Sequence, residues 1–187
     1  MDTLELEAVV RQAREGDGQA LAEIHRRLSR RVLGLCWHML GSREEAEDAV
    51  SEVFMRLPRA ITTYDGSISF ERWLLSVASH HCIDRLRRRM REQRLFTDQD
   101  VEPLAVAISA ASPLNELVRQ EKRDAVRNAI ERLPAKFRIP LALRYYSELS
   151  YEEIAEHLGM RRSHVATLIF RAKQELRQRL TQYREGQ

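Results

Sequence analysis

The amino-acid sequence predicts an all-α protein of two small helical domains joined by a linker. Apolar residues recur at steps of three and four along most of the chain, and no stretch shows the strict alternation of a half-buried strand. Helical spacing lapses between Leu95 and Pro113, where charge falls, Ala and Ser rise, and Pro103 and Pro113 interrupt any helix. The 187 residues leave room for two compact units, and 32% charged against 43% apolar residues suits amphipathic helices around modest cores.

In chain order, Asp17 caps a first helix carrying Leu21, Ile24, Leu28, Val32, Leu35 and Met39 on one face, and Gly41 ends it. Ser42 with Glu45 forms a capping box, followed by the stripe Ala46, Ala49, Val50, Val53, Phe54 and Leu57; Pro58 is expected to kink or close that helix. A turn-rich segment, Thr62 to Ser67, precedes a helix bearing Phe70, Trp73, Leu74, Val77 and Ala78 that runs into arginines. The expected domains are 1–94 and 114–187, with the linker at 95–113. The second starts with Leu114, Leu117, Val118, Ala125, Ala129, Ile130 and Leu133, and Pro134 opens the next helix, in which Pro140 disturbs regularity. Ser150 with Glu153 is another capping box, and its short helix ends before Gly159. A last helix is expected from about Arg162 to Gln182.

Thirty-one basic against 28 acidic residues give a net charge of +3, which points only weakly to a polyanionic partner. Clustering says more. Between Gly41 and Val53, Arg43 stands against Glu44, Glu45, Glu47, Asp48 and Glu52, whereas Arg85 to Arg94 holds six arginines and Glu92. Opposite poles imply two different partners. With only Cys36 and Cys82, no secretory signal after Met1 and no apolar run near the roughly 18 residues of a membrane span, the expectation is a cytoplasmic protein without disulfides or membrane insertion.

The most specific motif is a helix-turn-helix. Ile154, Leu158, Met160, Val165 and Leu168 fall where such a unit needs apolar residues, small Ala155 permits close approach, and Gly159 supplies the turn. The second helix of such a unit enters the major groove, which would place Arg161, Arg162, Ser163, His164, Ala166 and Thr167 near base edges and phosphates. Arg171 and Lys173 lie farther along, where a solvated helix face is the alternative.

These residues carry a resemblance that covers nearly the whole chain. Leu133-Pro134, Arg138 to Tyr145 and Leu149 to Ala155 are similar to region 4 of bacterial sigma factors of the extracytoplasmic-function group. Ala46 to Phe54 and Phe70 to Leu75 resemble region 2. The resemblance implies that region 2 holds RNA polymerase core and reads the melted −10 element as single-stranded DNA, while region 4 reads the −35 duplex and touches the polymerase flap. It also implies that an anti-sigma factor controls the protein.

On this reading Asp48, Glu52, Val53 and Phe54 bind polymerase, although a solvated acidic face is the competing account of the carboxylates. Tyr64, Ser67, Trp73, His80, Arg85 and Arg88 bind −10 DNA through stacking and phosphate contacts. At this spacing Phe70 and Trp73 are more often core residues than base wedges. Arg161, Arg162, Ser163, His164, Thr167 and Arg171 bind −35 DNA. Ser79-His80 stands where the family often has Arg-Asn, and Ala166 and Leu168 where Lys and Arg are frequent, which predicts altered −35 contacts.

Two other classes compete. A conventional regulator would bind duplex DNA alone, as a symmetric dimer. A metal site could draw on Cys36, His38, His80, His81 and Cys82, whose spacing is not diagnostic. The sequence shows no phosphate loop, nucleophile elbow or acid–base pair, so neither catalysis nor a cofactor is expected.

Overall fold

The computed structural model describes residues 3–96, 126 and 128–185, which are helical where regular and contain no strand. The chain divides into two compact units, Met1–Arg87 with Tyr146–Glu148 and Arg88–Tyr145 with Leu149–Gln187. The expected linker from 97 onward, and Leu114, Leu117, Val118 and Ala125, lie outside the described residues.

Unit one opens with a helix the sequence reading did not anticipate, α1 (Thr3–Arg14), which buries Val10 and Ala13 against α2. Its apolar positions, Leu6, Val9, Val10 and Ala13, have helical spacing but make only a short stripe. In α2 (Gly18–Leu40), Asp17 accepts backbone N–H groups of Gln19 and Ala20, and Gly41 ends the helix at φ 80°, a left-handed conformation that suits glycine. Ile24, Leu28, Val32, Leu35 and Met39 are all buried.

Ser42 Oγ accepts the Glu45 N–H at 3.3 Å and starts α3 (Arg43–Ala60), whose buried Ala46 and Ala49 allow close approach to α2. Pro58 lies in the last turn: the helix runs two residues past it, to Ala60, before the chain tightens into a 3₁₀ turn over Ile61–Thr63. Helix α4 (Phe70–Phe96) follows, with Phe70, Leu74, Leu75, Ala78, Cys82 and Ile83 buried; its end overlaps the first two residues of the expected linker.

In unit two, Ala129 and Leu133 are buried ahead of α5 (Ala135–Tyr145). Pro134 precedes the helix, its carbonyl accepting the N–H groups of Phe137 and Arg138, and Pro140 is accommodated inside it. The reciprocal box at Ser150 and Glu153 starts α6 (Tyr151–Leu158): Glu153 N–H donates to Ser150 Oγ at 3.2 Å and Ser150 N–H to Glu153 Oε2 at 2.6 Å. Helix α7 (Arg162–Glu185) packs on both α5 and α6.

Gly159 makes the α6–α7 turn at φ 66°, and a Cβ there would meet nothing within 4 Å. The cost of Gly159→Ala is therefore backbone strain alone, about 1 kcal/mol, with less for Gly159→Asn. Urea unfolding of the full chain followed by circular dichroism should show that order; equal midpoints for all three proteins would contradict the left-handed turn.

Candidate functional site

In unit one, the α3 stripe that packs inward dictates what faces out. Asp48, Glu52 and Met55 succeed one another at helical steps on the exposed side, with Met55 75% exposed. Sequence reasoning missed Met55, although its position out of phase with Ala46, Ala49, Val50, Val53 and Leu57 was a usable signal. Val53, expected to touch polymerase, is 2% exposed and belongs to the core. Phe54 is half-buried, its ring edge-on to His25 with centroids 4.6 Å apart.

The aromatic residues after α3 form one cluster. Tyr64, Phe70 and Trp73 have ring centroids 5.3 to 5.5 Å apart, and the Tyr64 hydroxyl donates to the Ile68 carbonyl at 2.7 Å. Tyr64 is only 8% exposed, so its ring does not offer the stacking face expected of it, and burial pushes its hydroxyl pKa up. Trp73 is the partly exposed member, and Ser67 is exposed on a turn whose Asp65 carboxylate accepts the Ser67 N–H at 2.9 Å. That bond holds Asp65 below the usual carboxylate range.

Helix geometry separates the arginines that the sequence reading grouped. His80 and Arg88 are exposed on α4. Arg85, five residues beyond His80 and so about 140° round the helix, instead faces α3. Its guanidinium lies 3.5 Å from Glu52 and 4.0 Å from Asp48, while Glu52 also meets Arg56 at 3.2 Å and His81 at 3.5 Å. The acidic and basic poles are therefore joined at Arg85, not separate as charge counting suggested.

Cys36 and Cys82 are both buried, and a hydrogen bond between them together with burial pushes the Cys82 thiol up. Among the described residues no group of three or more His, Cys, Asp or Glu side chains is placed to hold an ion, and no helix is long and apolar enough to cross a membrane.

In unit two, Val165, Leu168, Ile169 and Ala172 are buried and turn the rest of α7 outward. Arg161, Arg162, Ser163, His164, Thr167 and Arg171 are all exposed there. Arg162 pairs with Glu152 of α6, whose carboxyl is held below its usual range by its own backbone N–H and by that arginine. The Thr167 hydroxyl donates to the Ser163 carbonyl at 2.9 Å. Leu168 is 7% exposed, so it is a core residue and not an outward position that has lost a donor; Met160, expected inside, is substantially exposed. Phe170, 60% exposed and also missed, lines an open groove of about 430 Å³ with Tyr151, Ala166, Thr167, Ile169 and Lys173. Lys173 Nζ lies 5.3 Å from the Tyr145 ring centroid, a cation–π contact and not a bare solvated position.

Comparison with known proteins matches two separate segments of the chain. Residues 24–92 match Sigma-70 region 2, and residues 123–176 match Sigma-70, region 4. The ECF RNA polymerase sigma factor SigW of Bacillus subtilis is 31% identical over 176 residues, which span 91% of this chain and 94% of that protein. The ECF RNA polymerase sigma-E factor of Escherichia coli is 26% identical, over 91% of each chain. Among solved structures, the sigma factor RpoE of Bartonella quintana, determined in complex with the anti-sigma factor NepR, shares the fold. Its TM-score is 0.56 at 19% identity, covering 86% of this chain and 96% of that one.

His81, largely buried beside the Glu52 cluster, has its pKa lowered from 6.5, by desolvation first and then by Arg56 and Arg85, against the opposing pull of Glu52 and Asp84. The folded chain thus binds this proton less readily than the unfolded chain, so stability should fall as pH drops through 6.5 toward the lower folded value. Unfolding midpoints at pH 7 and pH 5 should differ less in His81→Gln than in the wild type; an identical difference would remove His81 as a source of the pH dependence.

Proposed function

The chain belongs to the extracytoplasmic-function group of the sigma-70 family, and from that premise we propose how its surfaces divide the work of promoter-specific transcription initiation with RNA polymerase. The observation that carries the reading is the pairing, on one chain, of an outward acidic face on α3 with an outward basic face on a helix-turn-helix.

Asp48 and Glu52, with Phe54 and Met55 beside them, dock on a basic surface of core polymerase, where complementary potentials orient the encounter. Val53 contributes by holding α3 in place. In unit two, α7 enters the major groove of the −35 element. Arg161, Arg162 and Arg171 neutralise phosphates there, and Ser163, His164 and Thr167 approach base edges. With the Thr167 hydroxyl committed to its own helix, Thr167 offers chiefly its methyl group.

Unit one captures melted −10 DNA. Trp73 supplies the accessible ring of the aromatic cluster, Ser67 lies on the turn beside it, and His80, Arg85 and Arg88 track the backbone. The domains are region 2 over 1–94 and region 4 over 114–187, tethered by 95–113. The chain supplies positioning free energy and no bond chemistry, which is the polymerase's, and it works where polymerase works, in the cytoplasm. The Bartonella structure was solved with an anti-sigma factor, and we extend that class of partner to this chain, with the polymerase-docking faces as its target.

Reconstituted transcription tests this. The full chain added to bacterial core polymerase should produce specific starts on genomic promoter fragments. Asp48→Arg should weaken core binding at least about tenfold while retaining helical content. Arg171→Ala should lower transcription about tenfold and reduce its salt sensitivity. Unchanged core binding by Asp48→Arg would overturn the assignment of the acidic face.

A further inference from the structure

The contact between Arg85 and the acidic face has a functional meaning that neither charge cluster has alone. We propose that Arg85 is an electrostatic latch: Asp48 and Glu52 hold its guanidinium in the free chain, and engagement of those carboxylates by a basic partner surface releases it to a DNA phosphate. The proposal rests on reading the acidic face as the polymerase-docking surface and adds how docking there regulates DNA capture.

Three observations support it. The first is geometric: Arg85 of α4 reaches α3, with contacts of 3.5 and 4.0 Å to two carboxylates. These are longer than a good charge-assisted hydrogen bond, so the latch is closed but not tight. The second is exposure. Arg85 keeps 27% of its side-chain surface in solvent, and Asp48 and Glu52 keep 65% and 41%, so a partner can reach the carboxylates without unfolding either helix.

The third is charge balance. Asp48, Glu52 and Asp84 stand against Arg85 and Arg56, so the cluster carries no net positive charge, with His81 biased toward its uncharged form. Phosphate approaching Arg85 therefore meets Asp48 and Glu52 as well, and like-charge repulsion suppresses binding. Once a partner's cations neutralise those carboxylates, the Arg85 charge is uncompensated, on the same helix as exposed His80 and Arg88. Linkage makes the effect reciprocal: DNA held by Arg85 frees the carboxylates for the partner.

The test is a thermodynamic cycle on the full-length chain, using fluorescence anisotropy with a labelled single-stranded thymidine oligonucleotide. Asp48→Asn with Glu52→Gln mimics the partner-neutralised state. Arg85→Gln should weaken affinity about fivefold to tenfold in the neutralised background and by a clearly smaller factor in the wild-type background. An equal effect in both backgrounds overturns the latch.

Salt dependence gives a second reading that needs no Arg85 substitution. The slope of log affinity against log salt should steepen by about 0.7 in the neutralised protein, one added phosphate contact on a single strand; an unchanged slope also overturns the latch. Wild-type binding to core polymerase, measured alongside, separates the two ideas. Additivity in a chain that binds core removes the latch alone, whereas coupling in a chain that ignores core keeps the latch and removes the polymerase reading.

Discussion

Burial of the apolar stripe of α2 is the constraint on which unit one depends. Ile24, Leu28, Val32, Leu35 and Met39 occupy one face, and that face must be covered by α3, by α4 or by both. Alanines 46 and 49 bring α3 close, Cys36 meets Cys82 of α4, and Arg31 reaches Glu71 at 2.8 Å across the rim of the same packing. Once Val50, Val53 and Leu57 are committed to the core, helical geometry leaves Asp48, Glu52 and Met55 no direction but outward. The acidic surface is thus a consequence of core packing, and core substitutions would disturb it as surely as a charge reversal.

Unit two applies the same logic around a turn. Ile154 and Ala155 of α6 and Val165, Leu168, Ile169 and Ala172 of α7 bury together, and Gly159 in a left-handed conformation lets the chain reverse between them. The exposed face of α7 then carries Ser163, His164, Thr167 and Arg171, with exposed Arg161 just before it and Arg162 paired to Glu152. One protein therefore presents carboxylates where it would meet a protein and guanidinium groups where it would meet a duplex, a separation set by which residues the two cores claim.

Much of this was legible in the chain because caps and periodicity are local. Asp17, Ser42, Ser150, Gly41 and Gly159 mark helix ends through hydrogen bonds and dihedrals within a few residues, and each does so in the structure. Pro58 marks the end of α3 to within two residues, because the bond it cannot make weakens the helix from that point. The burial of Val53 follows from its place in the apolar stripe of α3, whereas a loop position does not reveal that the Tyr64 ring is enclosed by Phe70 and Trp73. The clearest illegible feature is Arg85. Nothing in a run of arginines shows that Arg85 turns toward α3, since that depends on the rotation of one helix against another 37 residues earlier in sequence, at Asp48.

Joint occupancy of one promoter by this chain and core polymerase is the most direct measurement of how the two units divide the work. Combined nuclease footprinting and permanganate probing should show two protected patches, with reactive unpaired thymines confined to the downstream one, and neither patch should form without core enzyme. A single patch, fully duplex and protected by the chain alone, would contradict it.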